Sequence, residues 1–152
     1  MKIDKRCIKA TRVPKIKFKE SGKRAVFLNA GKEQFAKIRA DGCVIKSGKS
    51  ADFLLAKKDY CDIIIELKGK DVETGVKQVE RTYEFWKANG LFASKRHAAL
   101  IVSAGSPPRF NTTVQGVRDR FREKYNAPLH VVTGMYEYQI GAVLSFRGPH
   151  KI

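Results

Sequence analysis

The sequence is poor in acidic residues, poor in cysteine and free of long apolar runs. Asp and Glu number 15 against 31 Lys and Arg, which gives a formal net charge of +16. No apolar run approaches the roughly 20 residues that a membrane-spanning helix requires. The N-terminal residues, Met1 to Arg6, lead into no apolar signal segment, so we expect the protein to stay in the cytoplasm.

Cysteine is too scarce and too widely spaced to build a metal cluster or a disulfide framework. Cys7, Cys43 and Cys61 are an odd number of residues with wide separations. Zinc sites and disulfide scaffolds use closely spaced or paired cysteines. We therefore expect three reduced thiols, two of them in core strands.

The length of the chain allows one sizeable core. Two independent domains within 152 residues would each be only marginally stable. We expect a single domain over residues 1–152. Basic strands would occupy residues 1–49. The central core would lie in residues 50–105, and residues 106–152 would add a further helix and strands.

The excess of positive charge is concentrated at the N-terminal end. Residues 1–49 contain 15 Lys or Arg and 4 acidic residues. A field of this sign attracts polyanions, and contact with a phosphate backbone releases its counterions. Nucleic acid is therefore the expected partner, and the alternative is a basic surface that only keeps a small protein in solution.

Residues 50–56 and 62–70 are predicted to pair as a hairpin of two strands. Both segments are rich in branched and apolar residues, as core strands are. Because alternate side chains of a strand share a face, Glu66 and Lys68 point the same way. An acid and a lysine therefore lie side by side at the end of an otherwise apolar strand.

Charged groups beside an apolar core need compensation. Burying a carboxylate or an ammonium costs several kcal/mol unless a partner or a bound cation offsets it. The hairpin would bring Asp52 alongside Glu66 and Lys68, and two carboxylates with a few waters are a usual way to hold Mg²⁺. The pattern predicts a cation site with a lysine beside it, and the alternative is a surface ion pair between Glu66 and Lys68.

This arrangement resembles the PD-(D/E)XK nuclease superfamily. The superfamily motif is an Asp at the start of one strand, followed on the next strand by Asp or Glu, any residue, and Lys. Here the motif positions are Asp52, Glu66, Leu67 and Lys68, and Ala51 replaces the proline of the motif. The resemblance covers about half of the chain.

The resemblance implies a restriction-endonuclease-like α/β fold, in which helices flank a mixed central β-sheet, here with a basic N-terminal β-hairpin. It implies that Asp52 and Glu66 bind Mg²⁺ or Mn²⁺ together with the backbone carbonyl of Leu67. Lys68 would orient the attacking water or stabilise charge on the phosphoryl oxygens. The implied activity is hydrolysis of phosphodiester bonds in nucleic acid, with DNA expected, and a homodimer or larger complex fits this class.

Two more residues would reach the site in a fold of this superfamily. A helix before the first core strand often supplies a glutamate, and Glu33 is the only acid in residues 32–40; otherwise Glu33 is a solvated charge. The helix after the motif often supplies a glutamine, which here is Gln78. Phosphate contacts are expected from nearby basic residues, namely Lys46, Lys49, Lys70, Lys77 and Arg109.

The remaining elements follow from periodicity and turn residues. Residues 72–88 are predicted to form a helix capped by Asp71. Residues 97–104 are predicted to be a strand parallel to the one that carries Glu66. Residues 32–40 fit a helix or a strand equally well. A second helix is predicted at 112–125. Further strands are predicted at 13–19, 25–29, 43–45, 128–133 and 135–140. The strand at 135–140 would pair with the strand at 128–133 or pack at the edge of the sheet.

Two alternatives share this composition. The chain could be a non-catalytic nucleic-acid-binding module, with either a nuclease-like fold or the character of a basic ribosome-type protein. It could also be a subunit whose site a partner protein completes or controls. Metal dependence separates these alternatives from an enzyme, because a nuclease loses cleavage and keeps affinity when Asp52 is replaced by alanine.

Overall fold

The computed structural model describes residues 1–68, 71–103, 112–134 and 136–149, and these form a mixed α/β protein. The strands are β1 (Ile8–Thr11), β2 (Lys15–Glu20), β3 (Lys23–Leu28), β4 (Phe35–Arg39), β5 (Phe53–Lys57), β6 (Cys61–Lys68), β7 (His97–Ser103), β8 (Leu129–Thr133) and β9 (Glu137–Gln139). The helices are α1 (Val72–Ala88), α2 (Thr112–Tyr125) and α3 (Ile140–Val143), and a short 3₁₀ helix spans Lys5–Cys7. Among the described helices, none combines the length and the apolar character needed to cross a membrane.

Six strands form the central sheet, in the order β1-β4-β5-β6-β7-β8. Neighbouring strands from β1 to β6 are antiparallel, whereas β6, β7 and β8 run parallel. The predicted hairpin is confirmed as β5 and β6, and the predicted parallel pairing as β6 and β7. Helix α1 makes the connection between β6 and β7, as a parallel pair requires.

The second sheet, in the order β2-β3-β9, packs on one face of the central sheet. Alternation along β6 decides which side chain meets which layer. Ile64 packs in the core beneath α1 and α2, whereas Ile63 and Ile65 pack in the core beneath the second sheet. All three are fully buried, which explains why β6 is a continuous apolar run.

Helix α1 has the bounds that its sequence predicts. The carboxylate of Asp71 accepts a hydrogen bond from the N–H of Thr74 at 3.2 Å, which satisfies one of the donors left free at a helix N-terminus. Burial of each large apolar side chain on the inner face stabilises the fold by about 1.5–3 kcal/mol. That predicted stripe is confirmed as Val76, Val79, Tyr83 and Trp86.

Three expectations about local structure are wrong. Residues 43–45 form no strand, because they lie in a turn closed by a bridge between Asp41 and Ile45. Strand β9 pairs with β3 in parallel and not with β8. The helix that the resemblance implies before the first core strand is absent from residues 32–40, since β4 forms there and pairs with both β1 and β5.

The expectation of three reduced thiols is also wrong, because Cys7 and Cys43 form a disulfide with their Cα atoms 5.7 Å apart. The bond joins the 3₁₀ helix to the turn at 43–45, so Cys43 is not in a core strand. Wide sequence spacing carries no information about this approach in space. Cys61 is a free, buried thiol, and burial raises its pKa to about 12.

Candidate functional site

The carboxyl groups of Asp52 and Glu66 meet where β5 begins and β6 ends. The antiparallel register pairs Phe53 with Ile65, so Asp52, one residue earlier, lies opposite Glu66. The N–H of Leu67 donates to Asp52 Oδ2 at 2.9 Å, and Glu66 is close enough for a hydrogen bond between the two side chains to affect the pKa of Asp52. A hydrogen bond between two carboxyl groups requires a proton on one of them. The structure therefore brings together the two acids that the motif pairs.

The environment of this pair disfavours a second negative charge. Glu66 is only 2% exposed. Burial raises the pKa of Asp52, the hydrogen bonds from Leu67 and Glu66 oppose that rise, and the carboxylates of Glu20 and Asp41 add to it. Two close acids that share a proton form a site from which a divalent cation can displace that proton.

Helix α1 covers the pair and fixes the chain that leads into it. Glu66 lies beneath Gly75, where an added Cβ would be 3.8 Å from Glu66 Cγ. Two turns further along the helix, Thr82 Oγ1 accepts a hydrogen bond from the N–H of Ala51 at 2.8 Å. Because Ala51 directly precedes Asp52, the buried hydroxyl of Thr82 fixes the start of β5.

Gln78 lies on the same side of α1, between Gly75 and Thr82. It is 9% exposed, and its Oε1 has no hydrogen-bond partner in the part of the chain that the structure describes. A buried polar atom without a partner costs about 1–3 kcal/mol. Gln78 is therefore placed next to the helix positions that contact Glu66 and Ala51, with an oxygen available to a cation or to water.

The other two motif positions continue along β6. The N–H and C=O groups of one strand residue point toward the same neighbouring strand, so the carbonyl of Leu67 faces the Asp52 side, as its N–H does. Lys68 pairs through its backbone with Ser103, and its position alternates onto the face of Glu66. The side chain of Lys68 lies outside the described residues. Lys70 and Arg109 lie outside them as well.

The loop that enters β5 carries two of the predicted phosphate contacts, Lys46 and Lys49, and both are exposed. Arg81 of α1 holds this loop, because its guanidinium donates to the carbonyl oxygens of Ser47 at 2.6 Å and Lys49 at 3.2 Å. Gly48 has a φ of +75°, and an added Cβ would collide with the guanidinium of Arg81. Two basic side chains are thus presented on a loop that α1 fixes beside the carboxyl pair.

Two predicted residues lie away from the carboxyl pair. Glu33 forms an ion pair with Lys57 at 3.0 Å, at the end of β5 opposite to Asp52 and roughly 16 Å from it along the strand. The expectation that Glu33 reaches the site is wrong, because no helix forms there to carry it. Lys77 is exposed in a groove between α1 and α2, near Arg120, and stays a predicted phosphate contact.

Sequence reasoning missed the residues that position the site without forming it. Thr82 and Arg81 hold backbone groups that lie 31 and 34 residues away in sequence. A threonine and an arginine inside a helix carry no local signal of such contacts. The influence of Glu20 and Asp41 on Asp52 likewise depends on the fold, because three separate segments of the chain meet there.

The oxygen donors of the site fit a hard divalent cation. Carboxylate, backbone carbonyl and amide oxygens are the ligands that Mg²⁺ takes in proteins. Within the described ranges, no group of three or more His, Cys, Asp or Glu side chains is arranged to hold a metal ion. Carboxylate ligands would therefore number two, and water would fill the remaining positions.

Comparison of the chain with models of protein families, with curated proteins and with solved structures gave no match.

Proposed function

We propose that this protein is a metal-dependent nuclease that hydrolyses phosphodiester bonds of nucleic acid, with DNA as the expected substrate. The observation that carries the proposal is the placement of Asp52 opposite Glu66 at the edge of the core, with the N–H of Leu67 bound to Asp52. A buried acid beside a half-buried one is unfavourable for folding, so this arrangement favours a ligand with two positive charges. The net charge of +16 favours a polyanionic substrate.

The proposed roles follow from the placement of each group. Asp52 and Glu66 would hold Mg²⁺ or Mn²⁺, with the carbonyl of Leu67 as the nearest backbone donor. The ion would supply an activated water and withdraw charge from the scissile phosphate. Lys68, two residues beyond Glu66 on the same face of β6, would orient that water or stabilise charge on the phosphoryl oxygens.

The covering helix and the basic loop would act on the substrate side of the site. The buried Oε1 of Gln78 would orient a water of the cation site. Lys46 and Lys49 would bind phosphates that flank the cleaved bond, where Arg81 keeps their loop in place. A loop fixed in this way loses less conformational entropy when it binds.

The strand topology favours a restriction-endonuclease-like fold. Strands β4, β5 and β6 are antiparallel neighbours, and α1 leads from β6 to the parallel strand β7. Helices α1 and α2 cover one face of the sheet, and the small sheet covers the other. In this proposed fold the charged motif positions lie at the end of the central strand pair.

A non-catalytic nucleic-acid-binding module is the second candidate. The observation that favours it is the same pair, because two adjacent carboxyl groups that share a proton satisfy each other without a cation. Such a protein would bind nucleic acid through its basic surface and cleave nothing.

A cleavage assay separates the two candidates. The protein is incubated with single-stranded, duplex and branched DNA and with RNA, in Mg²⁺, Mn²⁺ or EDTA. Cleavage by the wild-type protein should require a divalent ion. The Asp52→Ala and Lys68→Ala variants should each lose at least about 100-fold in rate, while their affinity for the substrate in EDTA stays within about twofold.

The matched control is Asp59→Asn, which removes an exposed acid from the turn between β5 and β6, at the far end of the hairpin. That variant should cleave as the wild type does. Cleavage that survives in both Asp52→Ala and Lys68→Ala would remove this site from the reaction. Absence of cleavage with every substrate and metal would favour the binding module.

A further inference from the structure

The outer face of the second sheet carries a row of lysines. Along β2, Ile16 and Phe18 point into the core and are fully buried, whereas Lys15, Lys17 and Lys19 are exposed. Alternate residues of a strand are about 6.8 Å apart on one face. The backbone positions of the three lysines therefore follow one row along β2.

Most of this charge has no counter-ion within the described residues. Lys15 pairs with Glu137 at 2.9 Å, but no ion pair is found there for Lys17 or Lys19. Arg24 is the cross-strand partner of Lys19 on β3, so two cations face each other directly. Like charges directly opposite on a sheet are destabilising, and an anion placed between them removes that cost.

An aromatic ring lies next to this charge. The Arg24 guanidinium lies 4.2 Å from the ring centroid of Tyr136, and Tyr136 is 47% exposed. The carbonyl of Tyr136 accepts a hydrogen bond from the N–H of Val26 at 2.7 Å, and Val26 is the cross-strand partner of Lys17. A ring and a row of cations on one rigid sheet are what single-stranded nucleic acid binds, because bases stack while phosphates pair.

Edge protection alone does not account for the arrangement. Strand β2 is the edge of its sheet, and lysines on an edge strand discourage pairing with other chains. That role would need only the side chains of β2. Arg24 lies on β3, the central strand, which has no free edge to protect, so the patch extends beyond the edge strand β2.

The end of β2 lies near the start of β5. Glu20 ends β2 and lies 3.5 Å from the guanidinium of Arg39. The same guanidinium lies 5.1 Å from the ring centroid of Phe53, the residue after Asp52. The carboxylate of Glu20 is also close enough to Asp52 to raise its pKa.

We propose that the face formed by Lys17, Lys19, Arg24 and Tyr136 is a docking surface for single-stranded nucleic acid. Lys17 and Lys19 bind successive phosphates, and a base stacks on Tyr136. Binding here needs no metal ion and no cleavage. Delivery of the strand to Asp52 and Glu66 is the one part that rests on the proposed function.

Fluorescence anisotropy with a labelled single-stranded oligonucleotide in EDTA tests this surface. The Lys17→Ala/Lys19→Ala variant should bind at least about tenfold more weakly, and the slope of log K against log salt should fall by about 1.4, or about 0.7 for each lost phosphate contact. Tyr136→Ala should weaken binding, whereas Tyr136→Phe, which keeps the ring, should not.

The matched control is Lys87→Ala/Lys95→Ala, which removes two exposed lysines at the end of α1 and in the loop before β7. It should bind as the wild type does. The proposal would be overturned if both double variants lost the same affinity. It would also be overturned if duplex bound as tightly as the single strand and Tyr136→Ala did not weaken that binding.

Weak binding by Lys17→Ala/Lys19→Ala in a protein that never cleaves would support this surface while rejecting the nuclease. Normal binding by that variant in a protein that does cleave would reject this surface alone.

Discussion

Asp52 and Glu66 lie opposite each other, Asp52 just before β5 and Glu66 near the end of β6. Burial is the main reason that the pKa of Asp52 is raised. A protein selected only for stability would place a neutral pair here, because buried acids without a cation oppose folding. If the pair binds a cation as proposed, function opposes stability at this position.

Asp52→Asn should stabilise the protein in the absence of metal. The amide keeps the shape of the side chain, can still accept the hydrogen bond from Leu67, and removes a carboxylate whose burial is costly. We expect the melting temperature in EDTA to rise by about 2–4 °C, the shift that about 1 kcal/mol produces in a chain of this size. Mg²⁺ should raise the melting temperature of the wild type and leave that of the variant unchanged.

Asp59→Asn is the control for that comparison and should respond to Mg²⁺ as the wild type does. A lower melting temperature for Asp52→Asn in EDTA would mean that the carboxyl pair is a structural element. A response to Mg²⁺ that persists in Asp52→Asn would place the cation elsewhere.

The central part of the fold could be predicted because its signals are local. Helix α1 has a capping residue, Asp71, and a stripe of apolar residues with helical spacing, and both depend on neighbours in sequence. The approach of Asp52 to Glu66 followed from one assumption, that two adjacent apolar segments form a hairpin. A hairpin has a narrow choice of registers, and one of them places these acids opposite each other.

The remaining features depend on contacts between distant segments. Strand β9 has only three residues, too few to show which strand it joins, and it pairs with β3 across more than 100 residues of chain. The disulfide between Cys7 and Cys43 could not be predicted either, because three cysteines allow several pairings. The position of Glu33 could not be predicted, because residues 35–39 fit both the helical and the strand periodicity. Only the pairing of this segment with β1 and β5 makes it a strand.

His130 should make the protein unstable in acid. Its Nε2 lies 3.0 Å from the carbonyl oxygen of Val143 and 2.8 Å from that of Ser145, so this nitrogen carries the proton of the neutral ring. Burial lowers the pKa of His130 from 6.5 to about 4. The unfolded chain then binds the proton more readily, so stability falls as the pH drops from about 6.5 to about 4, by roughly 3 kcal/mol in total.

Urea denaturation as a function of pH measures this effect. His130→Gln, which does not titrate, should show a smaller loss between those pH values, and the difference between the two curves should level off below about pH 4. Parallel curves for wild type and His130→Gln would contradict the prediction.

The disulfide between Cys7 and Cys43 should contribute measurably to stability. It spans 36 residues, and the chain-entropy model assigns about 3–4 kcal/mol to a loop of that size. Reduction should therefore lower the urea midpoint of the wild type. The Cys7→Ser/Cys43→Ser variant should match the reduced protein and ignore the reductant, and one thiol, that of Cys61, should be labelled in the unfolded oxidised chain. Three labelled thiols before reduction would show that the bond is absent in solution.

Thr82 should support both the fold and the cation site. Its hydroxyl is fully buried and accepts the hydrogen bond from the N–H of Ala51 at 2.8 Å. Thr82→Val keeps the shape and leaves that N–H without an acceptor, which should cost about 1–3 kcal/mol. Thr82→Ser keeps the hydroxyl and loses one methyl group, which should cost about 0.8 kcal/mol.

Comparison of these two variants separates the hydrogen bond from packing. Urea denaturation in EDTA should rank Thr82→Val below Thr82→Ser. Because the start of β5 would then be held less firmly, the Mg²⁺-induced rise in melting temperature should shrink in Thr82→Val and persist in Thr82→Ser. Equal stability of the two variants would show that the hydroxyl is not needed to fix the chain before Asp52.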